Sequence, residues 1–216
     1  MRSPRRHYIT AMLLVAFQAC TVLPPPRADR SRFFVLTPAY SGPIATASAN
    51  DLKSQVSVAV GPVSLPSYLE RPEMVARVSP EQLEVSPTDR WAEPLTSNFQ
   101  SVLAQNLSYL LRTQRISMFP GVGGARCDYR VEVRVHRFDT DASGQAQLTA
   151  SWIISNGRNG SELFADQTTT RTAVASGDVS GAAALSNDIA VLSRQIADRI
   201  QAQNENDALG NAPRRF

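Results

Sequence analysis

The segment CDYRVEVRVHRF, residues 127–138, limits the possible folds of this chain more than any other. Tyr129, Val131, Val133 and Val135 alternate with Arg130, Glu132, Arg134 and His136. Successive side chains of a strand point to opposite faces, so the pattern demands a sheet with one buried and one wet face. The break DASG leads into QAQLTASWIIS, where Leu148, Ala150, Trp152 and Ile154 keep one phase. NGRNG is a turn cluster ahead of ELFADQTTTRTAV. Three successive strands with short turns predict an antiparallel meander.

A buried sheet face needs a cover, and two segments supply it. Residues 90–112 place Trp91, Leu95, Phe99, Val102, Leu103, Leu107, Leu110 and Leu111 at three- and four-residue steps, the apolar stripe of a helix. Pro94 belongs in its first turn, so that helix is expected to begin near residues 91–93. Residues 178–203 predict a second amphipathic helix, with Leu185, Ile189, Leu192, Ile196 and Ile200 on one side. Shorter strands are expected at 32–38, at 55–65 with a bend or end at Gly61 and Pro62, and at 73–79, 82–87 and 116–119. Residues 39–51 and the glycine-rich 121–126 read as loops. The predicted architecture is α+β: a single domain with a mainly antiparallel β-sheet and two long amphipathic helices packed on one face. It spans residues 32–204, and 205–216 lack periodicity and read as a disordered tail.

The start of the chain differs in character. Arg2, Arg5 and Arg6 precede an apolar run over residues 9–19, and Cys20 then heads the stretch TVLPPPRADRS. A basic start before a short apolar run is an export signal. Eleven residues at 1.5 Å each reach only about half of a ~30 Å hydrocarbon core, too little for a permanent transmembrane helix. The Ala19-Cys20 junction predicts a lipoprotein signal peptide, residues 1–19, with Cys20 lipidated. Phe17 and Gln18 depart from the leucine and small residue usual before such a cysteine; ordinary cleavage near Ala16 or Ala19, leaving Cys20 free, is the other reading. Residues 20–31 form a proline-rich tether that reaches roughly 30 Å in extended polyproline geometry. Once Cys20 carries a lipid, Cys127 has no intramolecular partner and reads as a half-buried apolar residue at a strand start.

Charge and chemistry narrow the function. The formal charge of +3, from 22 Lys and Arg against 19 Asp and Glu, resides in Arg2, Arg5 and Arg6; without them the chain is neutral. A neutral exported chain gives no case for nucleic-acid binding. His7 leaves with the signal, so His136 is the one imidazole left, among arginines on a wet strand face. No cysteine and histidine spacing suits a metal, no cofactor motif is complete, and Arg126 stands where a dinucleotide loop needs its last glycine. A G-x-S-x-G elbow is missing, and Asp139 and Asp141 flank a turn, where aspartate serves the backbone. The reading is of a protein that is not an enzyme and works by contact. Candidate partner-binding residues are Pro66, Tyr68, Leu69, Arg71 and Pro72 in one proline-bracketed turn, whose bulky groups are expected to be exposed. Arg90, Trp91, Glu93 and Pro94 at the helix start complete the set, since Trp, Tyr and Arg are favoured interface anchors. Trp91 has a second reading as a core plug, and the wet sheet face either stays solvated or meets a neighbouring subunit.

RFFVLTP, VAVGPVSLPSYLERPEMVARVS and DRWAEPLTSNFQSVLAQNLSYLL, in that order behind a lipoprotein signal, resemble the PqiC-type ABC-transport auxiliary lipoproteins. The resemblance implies a lipid-anchored (palmitate-type) lipoprotein of the outer membrane, facing the periplasm. It implies partnership with an MCE-domain protein and inner-membrane transporter components in intermembrane lipid transport and membrane integrity, with a possible homo-oligomeric ring. The family brings no catalytic residues. Thr21 after Cys20, where an inner-membrane retention signal would carry aspartate, points the same way. A stand-alone periplasmic lipid- or lipophile-binding lipoprotein is the alternative; it requires an apolar cavity between sheet and helices.

Overall fold

The structure, a computed structural model, describes residues 29–40, 42, 55–120, 127–177 and 180–210. In chain order the elements are β1 (Arg32–Phe34), β2 (Val58–Ser64), a 3-10 turn (Ser67–Leu69), β3 (Glu73–Arg77), β4 (Leu83–Trp91), α1 (Leu95–Leu110), β5 (Ile116–Met118), β6 (Tyr129–Asp141), β7 (Gln145–Asn156), β8 (Glu162–Ala173) and α2 (Ala182–Gly210). All of them lie in the unit Ser31–Phe216.

Strand β6 is the axis. Along one edge it pairs antiparallel with β7, which pairs antiparallel with β8, giving the expected meander. Its other edge is shared. β2 runs parallel to the first half, from Val58 beside Tyr129 to Ser64 beside Arg134, and β5 lies beyond β2. β3 joins β6 only through Ala76 beside Thr140 and Arg77 beside Asp141, with β4 and then β1 beyond it. The sheet therefore forks into two arms. The α+β class holds, but parallel pairings of β2, β3, β5 and β1 make the sheet mixed. Parallel neighbours need long crossovers, and α1 together with β3 and β4 supplies the one between β2 and β5.

Both helices pack on one face: α2 over β6, β7 and β8, and α1 beside it over β2 and β5. The in-facing Val131, Val133, Val135, Leu148, Ala150, Trp152 and Ile154 meet Phe99, Leu103 and Leu107 of α1 and Ile189, Leu192, Ile196 and Ile200 of α2 in one core. Phe99 meets Phe138 edge to face, with centroids 5.4 Å apart. Each such fully buried side chain contributes roughly 1.5–3 kcal/mol. A bulge sits between Val135 and Arg137, so exposed His136 is the extra residue and its Nε2 lies 2.8 Å from Ser151 Oγ. Beyond the bulge Phe138 points inward, and Asp139 points to the face away from the helices.

Several boundaries differ from the pattern reading. β1 ends at Phe34, and residues 35–40 continue as an irregular strap across the two helices. Backbone groups that a strand would pair are here taken by helix side chains. Asn98 Oδ1 accepts from Leu36 N (2.6 Å), Ser186 Oγ from Thr37 N (3.1 Å) and Asn106 Oδ1 from Ala39 N (3.2 Å). Asn106 Nδ2 then donates to Ser193 Oγ at 3.2 Å. β4 absorbs Arg90 and Trp91, which had been expected to open the helix. Trp91 N donates to Pro72 O (2.7 Å) and Ala92 N to Phe34 O (2.9 Å), which prolongs the sheet, and α1 starts only after Pro94. β2 runs on through Gly61 and Pro62, which form a bulge rather than an end. A Cβ on Gly61, at φ +118°, would fall 2.0 Å from Phe119 O, so only glycine fits there. α2 starts at Ala182 and continues to Gly210, taking in 205–210 of the expected tail. Cys127 is fully buried, not half-buried, under Gly157, whose Cβ would meet Sγ at 2.4 Å. Residues 1–28, including Cys20 and most of the tether, lie outside the described residues, as do 41, 43–54, 121–126, 178, 179 and 211–216, and with them most of the expected loops at 39–51 and 121–126.

Candidate partner-docking groove

The groove follows from how two prolines end two elements. After β2, Pro66 precedes the 3-10 turn, in which Leu69 N donates to Pro66 O at 2.9 Å. The chain then turns through residues 70–72 into β3. Across from it β4 ends at Trp91, and Pro94, which has no N–H to donate, stands as the N-cap of α1 with φ −54°. The bond from Trp91 N to Pro72 O ties the two segments together.

Between them lies a groove of about 440 Å³. Leu69, Glu70, Arg71 and Pro72 form one wall; Trp91, Ala92, Glu93, Pro94, Leu95 and Thr96 form the other. Leu69, Trp91 and Leu95, each at most 7% exposed, give an apolar floor. Glu70, Arg71 and Glu93 stand exposed on the rim with Pro72 and Pro94. The floor rewards an apolar side chain, and the rim offers charges of both signs. Beside the groove run the edge strand β1, where Phe33 is 63% exposed, and the start of the strap, where Val35 is 46% exposed.

The groove gathers six of the nine candidate residues: Leu69, Arg71, Pro72, Trp91, Glu93 and Pro94. Trp91 belongs to the core and shows the groove only its rim. Pro66 shapes the turn without lining the cleft. Arg90 is half-exposed on β4, its Nη2 4.0 Å from Glu73 Oε1. Tyr68, expected to be exposed, is half-buried behind the groove. Its hydroxyl donates to Asp139 Oδ2 at 3.1 Å, and burial, reinforced by Asp139, raises its pKa.

Asp139 was missed as anything more than a turn residue. Its carboxylate is fully buried and also accepts from Arg77 Nη2 (3.0 Å) and from Arg137 Nε (2.7 Å). The bulge at His136 hid its role, because an extra residue breaks the two-residue phase that shows which face a side chain takes. Asp141 does serve the turn: its Oδ1 accepts from Ser143 N and Gln145 N. Among the described residues no group of His, Cys, Asp and Glu is placed to hold a metal ion, and no helix is long and apolar enough to cross a membrane.

A forked mixed sheet backed by two helices, with an apolar-floored groove at one end of α1, defines an α+β protein. The chain belongs to the family described as the ABC-type transport auxiliary lipoprotein component, whose model matches residues 36–197. Among solved structures, protein XCC0632 from Xanthomonas campestris, of the DUF330 family, superposes with TM-score 0.63 at 16% identity, covering 83% of this chain and 99% of that one. A second, an uncharacterized protein, gives 0.62 at 19% identity over 79% and 98%. At such identities the fold alone is shared. The PelC dodecamer (L103M) from Paraburkholderia phytofirmans gives only 0.40 at 17% identity over 65% and 84%, too slight a likeness to carry its assembly to this chain. No curated protein matches the sequence.

Proposed function

We propose that this chain is a periplasm-facing lipoprotein subunit of an MCE/ABC-type intermembrane lipid transport system. It is anchored in the outer membrane through lipidated Cys20 and supports envelope integrity by docking and assembly, without catalysis. Membership of the auxiliary lipoprotein family supports the transporter partnership at its coarser level. The short apolar run before Cys20 and the proline-rich tether support the anchor. Two acyl attachments at the mature amino-terminal cysteine would give stable anchorage, whereas a single chain is marginal.

The observation that carries the docking mode is the groove, which brings two sequence-distant segments, 69–72 and 91–96, onto one apolar floor. In this reading Leu69, Trp91 and Leu95 receive an apolar side chain of the MCE-domain partner, and Arg71 and Glu93 set its orientation. The stand-alone carrier reading gains nothing from the fold, because the apolar faces of sheet and helices pack against each other as one core.

The test is affinity purification of the full-length protein from detergent-solubilised envelopes, with co-purifying proteins identified by mass spectrometry. An MCE-domain protein is expected in the eluate, and Arg71→Glu is expected to reduce it about tenfold, the loss of one well-placed interface anchor. Recovery of the lipoprotein alone, with lipid bound, would replace this reading with the carrier.

A further inference from the structure

We infer that Asp139, which does not touch the groove, is a positioning residue for it, holding the 69–72 wall from behind; this rests on the docking reading above. The wall is a short loop between the 3-10 turn and β3. Immediately before it, Tyr68 donates its hydroxyl to Asp139 Oδ2. Five residues past it, at the far end of β3, Arg77 donates to the same oxygen through Nε (3.3 Å) and Nη2 (3.0 Å), and its guanidinium lies 5.9 Å from the Tyr68 ring centroid. Both flanks of the wall thus converge on one carboxylate of the central strand.

The clamp matters because the backbone attachment nearby is thin. β3 meets β6 through two residue pairs only, against eleven between β6 and β7. At its far end the wall is registered against the opposite one by the β3–β4 ladder, with Glu73 beside Arg90, and by the bond from Trp91 N to Pro72 O; at its near end the carboxylate supplies the hold, through Tyr68. Arg137 Nε holds the other oxygen of Asp139 at 2.7 Å, so the carboxylate is itself fixed from its own strand. A partner side chain that needs both walls in place binds with the affinity this preorganisation allows, because any wall left loose must be ordered on binding.

The experiment compares Tyr68→Phe, Asp139→Asn and Arg71→Glu in the full-length protein. It reads amide hydrogen exchange and the amount of MCE-domain protein retained from solubilised envelopes. Tyr68→Phe removes one hydroxyl and preserves the ring, so it reports even where Asp139→Asn unfolds the arm of β1, β3 and β4. The expected result for Tyr68→Phe is about fivefold faster exchange at residues 69–71, unchanged exchange at 148–154, and about fivefold less partner, the scale of one ordinary hydrogen bond. If Arg71→Glu releases the partner while Tyr68→Phe and any folded Asp139→Asn alter neither readout, the positioning role is overturned and the groove reading stands. If Arg71→Glu retains the partner in full, the docking reading falls and takes the positioning role with it.

Discussion

The meander of β6, β7 and β8 and the wing of β1, β3 and β4 hang from the same central strand but are held by different means. In the meander, long antiparallel ladders present an unbroken apolar face to the helices, and hydrophobic burial does most of the holding. In the wing, the ladders are short and irregular. Individual side chains carry what ladders carry elsewhere: Asp139 clamps the turn, Arg32 grips Asp89 through paired bonds of 2.7 and 2.8 Å, and asparagines and serines of the helices bind the strap. The wing also carries Phe33, Val35, Val78 and Val85, four exposed large apolar residues. A region held by a few polar contacts can change its binding surface while the core beside it keeps the fold.

This contrast breaks hardest at Trp152. It is 1% exposed at the centre of the meander, and its Nε1 donates to Thr168 Oγ1 at 2.9 Å. Trp152→Ala is expected to cost about 3–5 kcal/mol, the loss for a large aromatic that leaves a cavity in a close-packed core. Urea unfolding followed by circular dichroism measures it. A loss below about 1 kcal/mol would mean that the meander is not the stabilising half.

The same division explains what pattern reading reaches. The meander and the apolar stripes of both helices are legible because their side chains repeat with the period of the element and face one core. The wing is not, because its bonds join residues far apart in sequence with no period: Asn98 to Leu36, Asn106 to Ala39, Asp139 to Tyr68. The candidate docking residues were named from composition, bulky anchors bracketed by prolines. That selected most of the groove but turned Tyr68 the wrong way and omitted Leu95 and Thr96, counted as ordinary helix. A usable signal was present in Asn98 and Asn106. Both interrupt the apolar stripe of α1, and a polar residue within a buried stripe has a partner to satisfy.

Asn106 sharpens the comparison at smaller scale. It is fully buried, and its amide joins the strap to α2 by accepting from Ala39 N and donating to Ser193 Oγ. Asn106→Ala takes the acceptor from Ala39 N and one donor from Ser193 Oγ, which still donates to Ile189 O, a cost of about 1 kcal/mol. The expected signature is local: amide exchange at Ala39 and Tyr40 rises far more than at 148–154. Equal acceleration in both regions would mean that the strap and the meander open as one unit, contrary to the division drawn here.

An effect no larger lies where a polar device intrudes on the well-packed half. Asp188 of α2 is fully buried against β8, where Oδ1 accepts from Thr172 Oγ1 at 2.7 Å. Among the described residues neither Oδ2 nor the buried hydroxyl of Thr170 makes a well-formed hydrogen bond. Burial pushes the Asp188 carboxyl above its ordinary value of 3.8, with the Thr172 hydroxyl and, more weakly, the Thr170 hydroxyl opposing. A carboxyl raised in the folded state contributes stability below its unfolded pKa and loses it as pH rises through the folded pKa. As pH rises from the ordinary carboxyl value of 3.8 to the raised folded one, burial of this carboxyl therefore becomes a growing cost to the α2 interface, constant above that. Asp188→Asn removes the charge and supplies an amide that can accept from Thr172 and donate to Thr170. It is expected to raise stability at pH 7 by about 1 kcal/mol, with the gain shrinking toward pH 4. Urea unfolding of parent and variant across that range isolates the difference from every other titrating group. A variant less stable than the parent at pH 7, or a difference that does not change with pH, would show that Asp188 is held ionised and satisfied, and that the well-packed half contains no such cost.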